Sequence, residues 1–219
     1  DEIDTDDETD SIEYLKKSAY QGNVEAMKFL YQNLFGEEDI YDQKELVYFL
    51  KILCDKGDIE LMYYYGRTLM QGLNITANRK EGAKYIKIAA ENGVTEAISF
   101  YGKLLQTGVG VDVDKEQAFE YYLKGIDKDD SDSMYYYALM LKKGDFVQAN
   151  INESLKYLKK AIDKGNSSAM NYYAQMLSKG DGIPVNKEEA IKYYKMAIEK
   201  GNIESMNNYA LMLYEGDGI

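Results

Sequence analysis

Apolar and small residues recur along the chain in a block that repeats about every 36 residues. Each block starts at a glycine, which an aspartate replaces once, and the steps between the starts are 35, 36, 36, 36 and 36 residues: Gly22, Gly57, Gly93, Asp129, Gly165 and Gly201. Beyond each start, a residue that is small in every block except the second, which has Leu61, is followed four positions later by a large residue and eight positions later by leucine, as in Ala169, Tyr173 and Leu177. Because these spacings put the residues on one face of a helix, each block predicts an amphipathic α-helix.

Each predicted helix is followed by a glycine, and then by an aspartate or asparagine that suits the start of a second helix. The closing glycines are Gly36, Gly72, Gly108, Gly144, Gly180 and Gly216. The residues that start the second helices are Asp7, Asp42, Asn78, Asp114, Asn150 and Asn186. The pattern therefore predicts an all-α chain over residues 7–219, with a half unit, five full helix pairs and another half unit. We expect residues 1–6 to form an acidic disordered leader, and the repeats to belong to a longer array.

Two stretches show the repeat most clearly: residues 169–186 run AMNYYAQMLSKGDGIPVN, and residues 189–198 run EAIKYYKMAI. These stretches resemble the two halves of the unit of the Sel-1-like repeat family, relatives of the tetratricopeptide repeats, although tyrosine stands where that family has tryptophan. The likeness covers nearly everything from residue 7 to 219. It implies a right-handed superhelical solenoid of antiparallel helix pairs that serves as an adaptor between proteins, and it leaves the partner open.

Composition and charge exclude several kinds of function. The chain has no histidine and one cysteine, which argues against histidine-based catalysis, histidine zinc sites and an internal disulfide. Cys54 lies in the apolar stripe of a second helix, so we expect it to be buried and unreactive. The net charge is −12, which argues against nonspecific binding to nucleic acid. We therefore predict no enzyme activity, no cofactor or metal, and no membrane insertion, since no apolar run is long enough to span a bilayer.

The first helix of each pair is expected to line the concave surface of such a solenoid. Positions of these helices that do not belong to the apolar core face are then expected to face the groove. They include Tyr63, Arg67, Lys103, Tyr135, Leu139, Asn171, Gln175, Asn207, Leu211 and Tyr214. Acids in the first turns form a rim: Glu60, Glu96 and Asp132. The amides suit the backbone of an extended peptide, the tyrosines suit an interface, and the acids favour a partner rich in Lys or Arg. The acids are equally well explained by the helix dipole, which favours them in a first turn.

The leading hypothesis is a cytoplasmic adaptor, with possible shuttling to the nucleus, that binds an extended or partly helical basic segment in its groove. A transcription factor or an import signal would carry such a segment. The alternative is a scaffold subunit of a ubiquitin ligase in the lumen of the endoplasmic reticulum, which predicts glycans at Asn74 or Asn166. Self-association through the ends of the repeat array is a further possibility.

Overall fold

The structure is a computed structural model that describes residues 5–34 and 43–216, with the backbone alone over residues 5–10. These residues contain helices and no strand, which confirms the predicted all-α class. The helices that lead each pair are α2 (Val24–Leu34), α4 (Ile59–Gln71), α6 (Thr95–Thr107), α8 (Ser131–Lys143), α10 (Ser167–Lys179) and α12 (Ile203–Tyr214). The trailing helices are α1 (Thr5–Tyr20), α3 (Gln43–Asp55), α5 (Arg79–Glu91), α7 (Lys115–Asp127), α9 (Ile151–Asp163) and α11 (Lys187–Glu199).

Some predicted features lie outside the described residues. They are the first four residues of the leader, the cap residues Gly36 and Asp42, and residues 217–219. The side chain of Asp7 also lies outside them, while the backbone of α1 is helical from Thr5 onward.

The chain forms two compact units. One extends up to Ala97 and includes Thr107–Asp112, and the other comprises Ile98–Gln106 and continues from Val113 onward. In the first unit the core lies between α2, α3, α4 and α5, with Leu30, Phe49 and Ile86 fully buried. In the second unit Ala169, Tyr173 and Leu177 of the predicted apolar face of α10 are buried in one core, which confirms the role that the sequence predicts for this face.

Short polar side chains begin the helices, as the sequence predicts. Asn78, Asp114, Asn150 and Asn186 each accept a hydrogen bond from the backbone N–H of the third helical residue, at 2.9 to 3.1 Å. A second set of caps starts the leading helices: Asn23, Asp58, Asp130, Asn166 and Asn202. Asp129 adopts the left-handed φ of 66° that glycine adopts at the other block starts, which confirms its place in the repeat.

Small residues bring the two helices of a pair close together. A Cβ on Gly66 of α4 would lie 2.7 Å from the carbonyl oxygen of Gly82 in α5, and one on Gly82 would lie 2.5 Å from Met70 Cγ. Because Gly66 also faces Ile86, the contacts run in opposite directions along the two helices, which are therefore antiparallel. A T-shaped tyrosine pair recurs beside this contact, with ring centroids 4.7 to 5.0 Å apart: Tyr65–Tyr85, Tyr101–Tyr121, Tyr137–Tyr157 and Tyr173–Tyr193.

Candidate binding surfaces

The first unit contains a cleft of about 610 Å³ where α4 and α6 begin. It brings together three residues of the predicted site, Glu60, Tyr63 and Glu96. The whole lining consists of Ile59, Glu60, Tyr63, Tyr64, Asn92, Gly93, Val94, Thr95 and Glu96. The cleft thus combines two carboxylates with two aromatic rings on a surface of the leading helices. We call it the acidic cleft.

Tyr63 and Tyr64 differ in how much of each ring reaches solvent. Tyr63 is buried, and the guanidinium carbon of Arg67 lies 5.7 Å from its ring centroid. Tyr64 meets Tyr63 edge to face at 5.3 Å and keeps 46% of its surface exposed. Tyr63 therefore forms a wall of the acidic cleft, while Tyr64 offers an open aromatic surface to it.

Negative charge dominates the neighbourhood of the acidic cleft. Lys28 of α2 forms an ion pair with Asp58 at 2.6 Å. The hydrogen bond from Lys28 to Asp58 raises the lysine pKa, and the charges of Asp58, Glu25 and Glu60 raise it further. Lys28 thus offsets part of this negative charge, and the Arg67 guanidinium adds a second cation beside the ring of Tyr63.

In the second unit the leading helices form an aromatic surface that carries lysines. The ring centroids of Tyr135 and Tyr172 lie 6.2 Å apart, and burial raises the pKa of Tyr135 to about 12. The Lys103 ammonium lies 5.6 Å from the Tyr136 centroid. The Lys142 ammonium lies 5.7 Å from that of Tyr172. Each lysine is thus within the range of a cation–π contact with a ring on the next leading helix.

Two further predicted site residues have partners within the second unit. Asp132 lies at the surface and accepts a hydrogen bond from Asn166 Nδ2 at 2.7 Å; partial desolvation of its carboxylate raises its pKa against the opposing effect of that bond. Asn171 is buried: its Oδ1 accepts from Ser205 Oγ and Asn208 Nδ2, both at 3.0 Å, and its Nδ2 donates to Glu204 at 3.3 Å. Asn171 therefore links α10 to α12, and its contact with the backbone of a partner stays a prediction.

The remaining predicted residues lie on the same leading helices with different exposure. Leu139 of α8 and Gln175 of α10 are half-buried. On α12, Asn207 and Leu211 are exposed, and Tyr214 keeps 90% of its surface in solvent. The apolar members of this set are the ones that would gain most from being covered by a partner.

The sequence prediction missed a column of aromatic residues on the leading helices. It occupies the position before the large core residue and is aromatic in five successive blocks: Phe29, Tyr64, Phe100, Tyr136 and Tyr172. Phe29 is 50% exposed, and the rings in the second unit are half-buried. The signal was present in the sequence, because an aromatic residue recurs at this position at the repeat spacing.

Three other features of the described chain bear on its chemistry: the single cysteine, the grouping of acidic side chains and the character of the helices. Cys54 is buried, as predicted, and burial raises the pKa of its thiol to about 12. Residues 5–34 and 43–216 hold no group of three or more Cys, Asp or Glu side chains arranged to bind a metal ion. None of the described helices combines the length and apolar character needed to cross a bilayer.

A family model described as Sel1 repeat matches six stretches of the sequence: 3–23, 59–94, 95–130, 131–166, 167–202 and 203–219. The chain belongs to the Sel1 repeat family. Sel1 repeat proteins generally mediate interactions between proteins, and their solenoid fold is typically a non-catalytic scaffold. No curated protein matches the sequence.

Solved structures of other Sel1 repeat proteins share the fold. One from Oxalobacter formigenes has a TM-score of 0.76 at 23% identity, over 90% of this chain and 79% of that chain. A protective antigen of uropathogenic Escherichia coli has a TM-score of 0.69 at 19% identity, over 94% of this chain and 44% of that chain. A sel1 repeat protein from Klebsiella pneumoniae has a TM-score of 0.57 at 14% identity, over 91% and 97%. At these identities the likeness describes the fold and leaves the partner open.

Proposed function

We propose that this Sel1 repeat chain is an adaptor that binds a basic linear segment of a partner protein on its leading helices. The observation that carries the proposal is the acidic cleft, where Glu60 and Glu96 flank the rings of Tyr63 and Tyr64. A segment that contains Lys or Arg suits this surface in two ways. Its aliphatic stem can pack on an aromatic ring, and its cation can bind a carboxylate.

The second unit supports the same proposal through a different set of contacts. Leu139 and Leu211 offer apolar area, while Gln175 and Asn207 offer amides that both donate and accept hydrogen bonds. Such amides bind the backbone of an extended peptide whatever its side chains are. We propose that these residues bind the backbone of a segment at the second unit, and that the acidic cleft by itself favours basic residues at the first unit.

Selection from a displayed library of random dodecapeptides tests the proposal, because the library samples basic, neutral and acidic segments alike. The whole chain is the bait, and the double variant Glu60→Gln with Glu96→Gln is the counter-bait. We expect the selected peptides to be enriched in Lys and Arg, and to lose affinity for the double variant. We also expect binding to weaken as salt rises, because screening reduces the attraction between exposed charges.

A matched control removes two carboxylates from a different surface. Glu153→Gln with Glu188→Gln changes the net charge equally on the trailing helices α9 and α11. Selected peptides should bind this control as they bind the parent chain. Enrichment of neutral or acidic peptides, or equal loss of affinity with both double variants, would refute the proposed preference.

A further inference from the structure

Helix α12 exposes large apolar side chains at positions that are buried in the leading helices before it. Leu213 is 44% exposed, whereas Leu177, at the same position of α10, is 4% exposed. Met206 is likewise exposed, whereas Met170 of α10 is buried. In α10 this face packs on the trailing helix α11, with Tyr173 against Tyr193. The exposed face of α12 is therefore of the kind that a trailing helix covers in the rest of the second unit.

The first unit carries an open groove along α1 and α2. Its volume is about 440 Å³, and it is lined by Leu15 of α1 and by Glu25 and Phe29 of α2. The ring of Phe29 is half exposed, and Tyr14 of α1 is 71% exposed. The groove thus combines a trailing helix and the next leading helix, with an aromatic ring open on each.

The second unit shows which element lies against such a surface. Glu25 and Phe29 of the groove correspond in the repeat to Glu204 and Asn208 of α12. Asn171 of α10 donates from Nδ2 to Glu204 at 3.3 Å and accepts from Asn208 Nδ2 at 3.0 Å. The surface that α11 and α12 form is therefore covered by the preceding leading helix, α10.

We propose that α12 of one copy of this chain lies in the α1–α2 groove of a second copy, so that the copies associate head to tail. Among the described residues α12 is a leading helix without a trailing helix, and α1 is a trailing helix without a leading helix. The contact between copies completes one Sel1 helix pair from these two halves. This inference goes beyond the binding of a linear segment.

The tyrosine pair that recurs within each unit supplies the first contact between copies. Tyr137 and Tyr157 form such a pair, with ring centroids 4.7 Å apart and planes at 78°. Tyr209 of α12 holds the position of Tyr137, and Tyr14 of α1 holds the position of Tyr157. We expect Tyr209 of one copy to meet Tyr14 of the next edge to face.

The lysine beside Tyr14 is compatible with this pair. Lys17 Nζ lies 5.2 Å from the centroid of Tyr14. Lys160 Nζ lies 5.1 Å from the centroid of Tyr157, at the same spacing along the helix, and Tyr157 still pairs with Tyr137. A lysine three positions on therefore leaves the ring able to pair with a leading helix.

The aromatic column supplies the second contact between copies. In the second unit Lys142 of α8 reaches the ring of Tyr172 on the next leading helix, at 5.7 Å from its centroid. In the repeat, Tyr214 of α12 corresponds to Lys142, and Phe29 of α2 corresponds to Tyr172. Tyr214 and Phe29 are both exposed, so each ring loses apolar surface to water when α12 of one copy covers α2 of another.

Charge opposes the contact at long range and contributes little within it. The groove lysine, Lys28, is paired with Asp58, and Lys17 is paired with Glu13, each inside its own copy. The net charge of −12 makes two copies repel each other. Because salt screens this repulsion, association should strengthen as salt rises, whereas the binding of basic peptides should weaken.

Sedimentation equilibrium of the whole chain tests the association, since the mass of one copy is 25.0 kDa. We expect the average mass to rise with concentration between roughly 10 µM and 1 mM. It should pass the mass of two copies, because a head-to-tail contact leaves one groove and one α12 open in every dimer. A mass that stays at one copy over this range, at low and at high salt, would overturn the proposal.

Substitutions on the two surfaces test the residues. Leu213→Asp on α12 and Tyr14→Asp on α1 each place a charge in the contact and should each weaken association by at least about tenfold. Met206→Asp is a second variant of the α12 face, for use if Leu213→Asp loses helicity by circular dichroism. Tyr48→Asp changes a tyrosine of α3 that is 53% exposed, and it should associate as the parent does.

Mixing the two variants distinguishes a head-to-tail contact from a symmetric one. The Tyr14→Asp copy keeps an intact α12, and the Leu213→Asp copy keeps an intact groove. An equimolar mixture should therefore form dimers and nothing larger, although each variant alone stays a single copy. If Tyr14→Asp alone associates like the parent, or if the mixture stays at one copy, α12 does not bind the α1–α2 groove.

Self-association and the proposed function fail separately. Glu60→Gln with Glu96→Gln should leave the mass distribution close to that of the parent at high salt, while the selected basic peptides lose affinity for that variant. A chain that selects basic peptides and stays a single copy refutes the head-to-tail contact alone. A chain that associates and selects no basic peptide refutes the adaptor proposal alone.

Discussion

Two buried serines at the contacts between helices differ in what their hydroxyl groups reach. Ser154 Oγ donates a hydrogen bond to the Ala138 carbonyl oxygen at 2.7 Å. Ser133 Oγ is fully buried and has no hydrogen-bond partner among the described residues. A buried hydroxyl without a partner loses its bonds to water and gains none in return, so Ser133 costs stability where Ser154 contributes it.

We expect Ser133→Ala to raise the free energy of unfolding by about 1 kcal/mol, and Ser154→Ala to lower it by about 1 kcal/mol. Alanine suits the first site, because Ala97 and Ala169 hold the same position in neighbouring blocks. Urea unfolding followed by circular dichroism measures both changes. Equal destabilisation by the two substitutions would mean that the Ser133 hydroxyl has a partner after all.

At the scale of the helix, one leading helix begins without a capping side chain. The residue before α6 is Val94, whereas the equivalent residue is an aspartate or asparagine before α4, α8, α10 and α12. Valine has no acceptor for the orphan N–H groups of the first turn. Val94→Asn should therefore stabilise the chain by about 1 kcal/mol, measured as a higher urea midpoint.

Val94→Ala is the control, since it shortens the side chain without adding an acceptor. It should leave the midpoint unchanged or lower it, because part of the valine side chain is buried. If both variants shift the midpoint in the same direction by the same amount, capping does not explain the effect of asparagine.

The close contact of α4 and α5 depends on the absence of a side chain at Gly82. Alanine would improve the helix propensity by about 1 kcal/mol. Its Cβ, however, would lie 2.5 Å from the Gly66 carbonyl oxygen, and the two helices would have to separate. We expect Gly82→Ala to lower the free energy of unfolding by about 2 kcal/mol. Lys84→Ala, on the exposed side of the same helix, should change it by less than about 0.5 kcal/mol.

The helices could be predicted because the signals that define them are local. A glycine such as Gly180 and an asparagine such as Asn186 fix the backbone within one or two turns, and the repeat shows the same signals several times. The surroundings of the site residues depend instead on contacts between blocks. Asn171 is buried because Ser205 and Asn208, 34 and 37 residues away, meet its oxygen. No pattern within one block contains that information.

The aromatic column was missed for a different reason. The groove was assigned to the positions that remained after the core face had been removed, and the residue before the large core position was not among them. In the structure Tyr64 and Tyr172 belong fully neither to the core positions nor to the groove positions, because each ring is part buried and part exposed. Aromatic rings are large enough to contribute to the core and to a surface together, so a division into two classes misplaces them.

At the scale of the whole molecule, buried tyrosines make the stability of the fold depend on pH in the alkaline range. The chain contains 22 of them. Burial raises the pKa of Tyr31 and of Tyr135 to about 12, and burial raises that of Tyr122 further still. An unfolded tyrosine has a pKa near 10, so above that pH the unfolded chain releases protons that the folded chain retains. The free energy of unfolding must then fall as pH rises.

We expect stability to be nearly constant from pH 7 to about pH 9 and to fall above pH 10, by up to about 1.4 kcal/mol per pH unit for each buried phenol. The buried thiol of Cys54, whose pKa is raised to about 12, acts in the same direction. Urea midpoints at pH 8, 10 and 11, with phenolate absorbance at 295 nm, measure the effect. Tyr31→Phe removes one of these groups and should make the midpoint fall less steeply between pH 10 and 11. Equal midpoints at pH 8 and 11 would mean that the phenols ionise without unfolding, and that the tyrosines of the folded chain reach solvent.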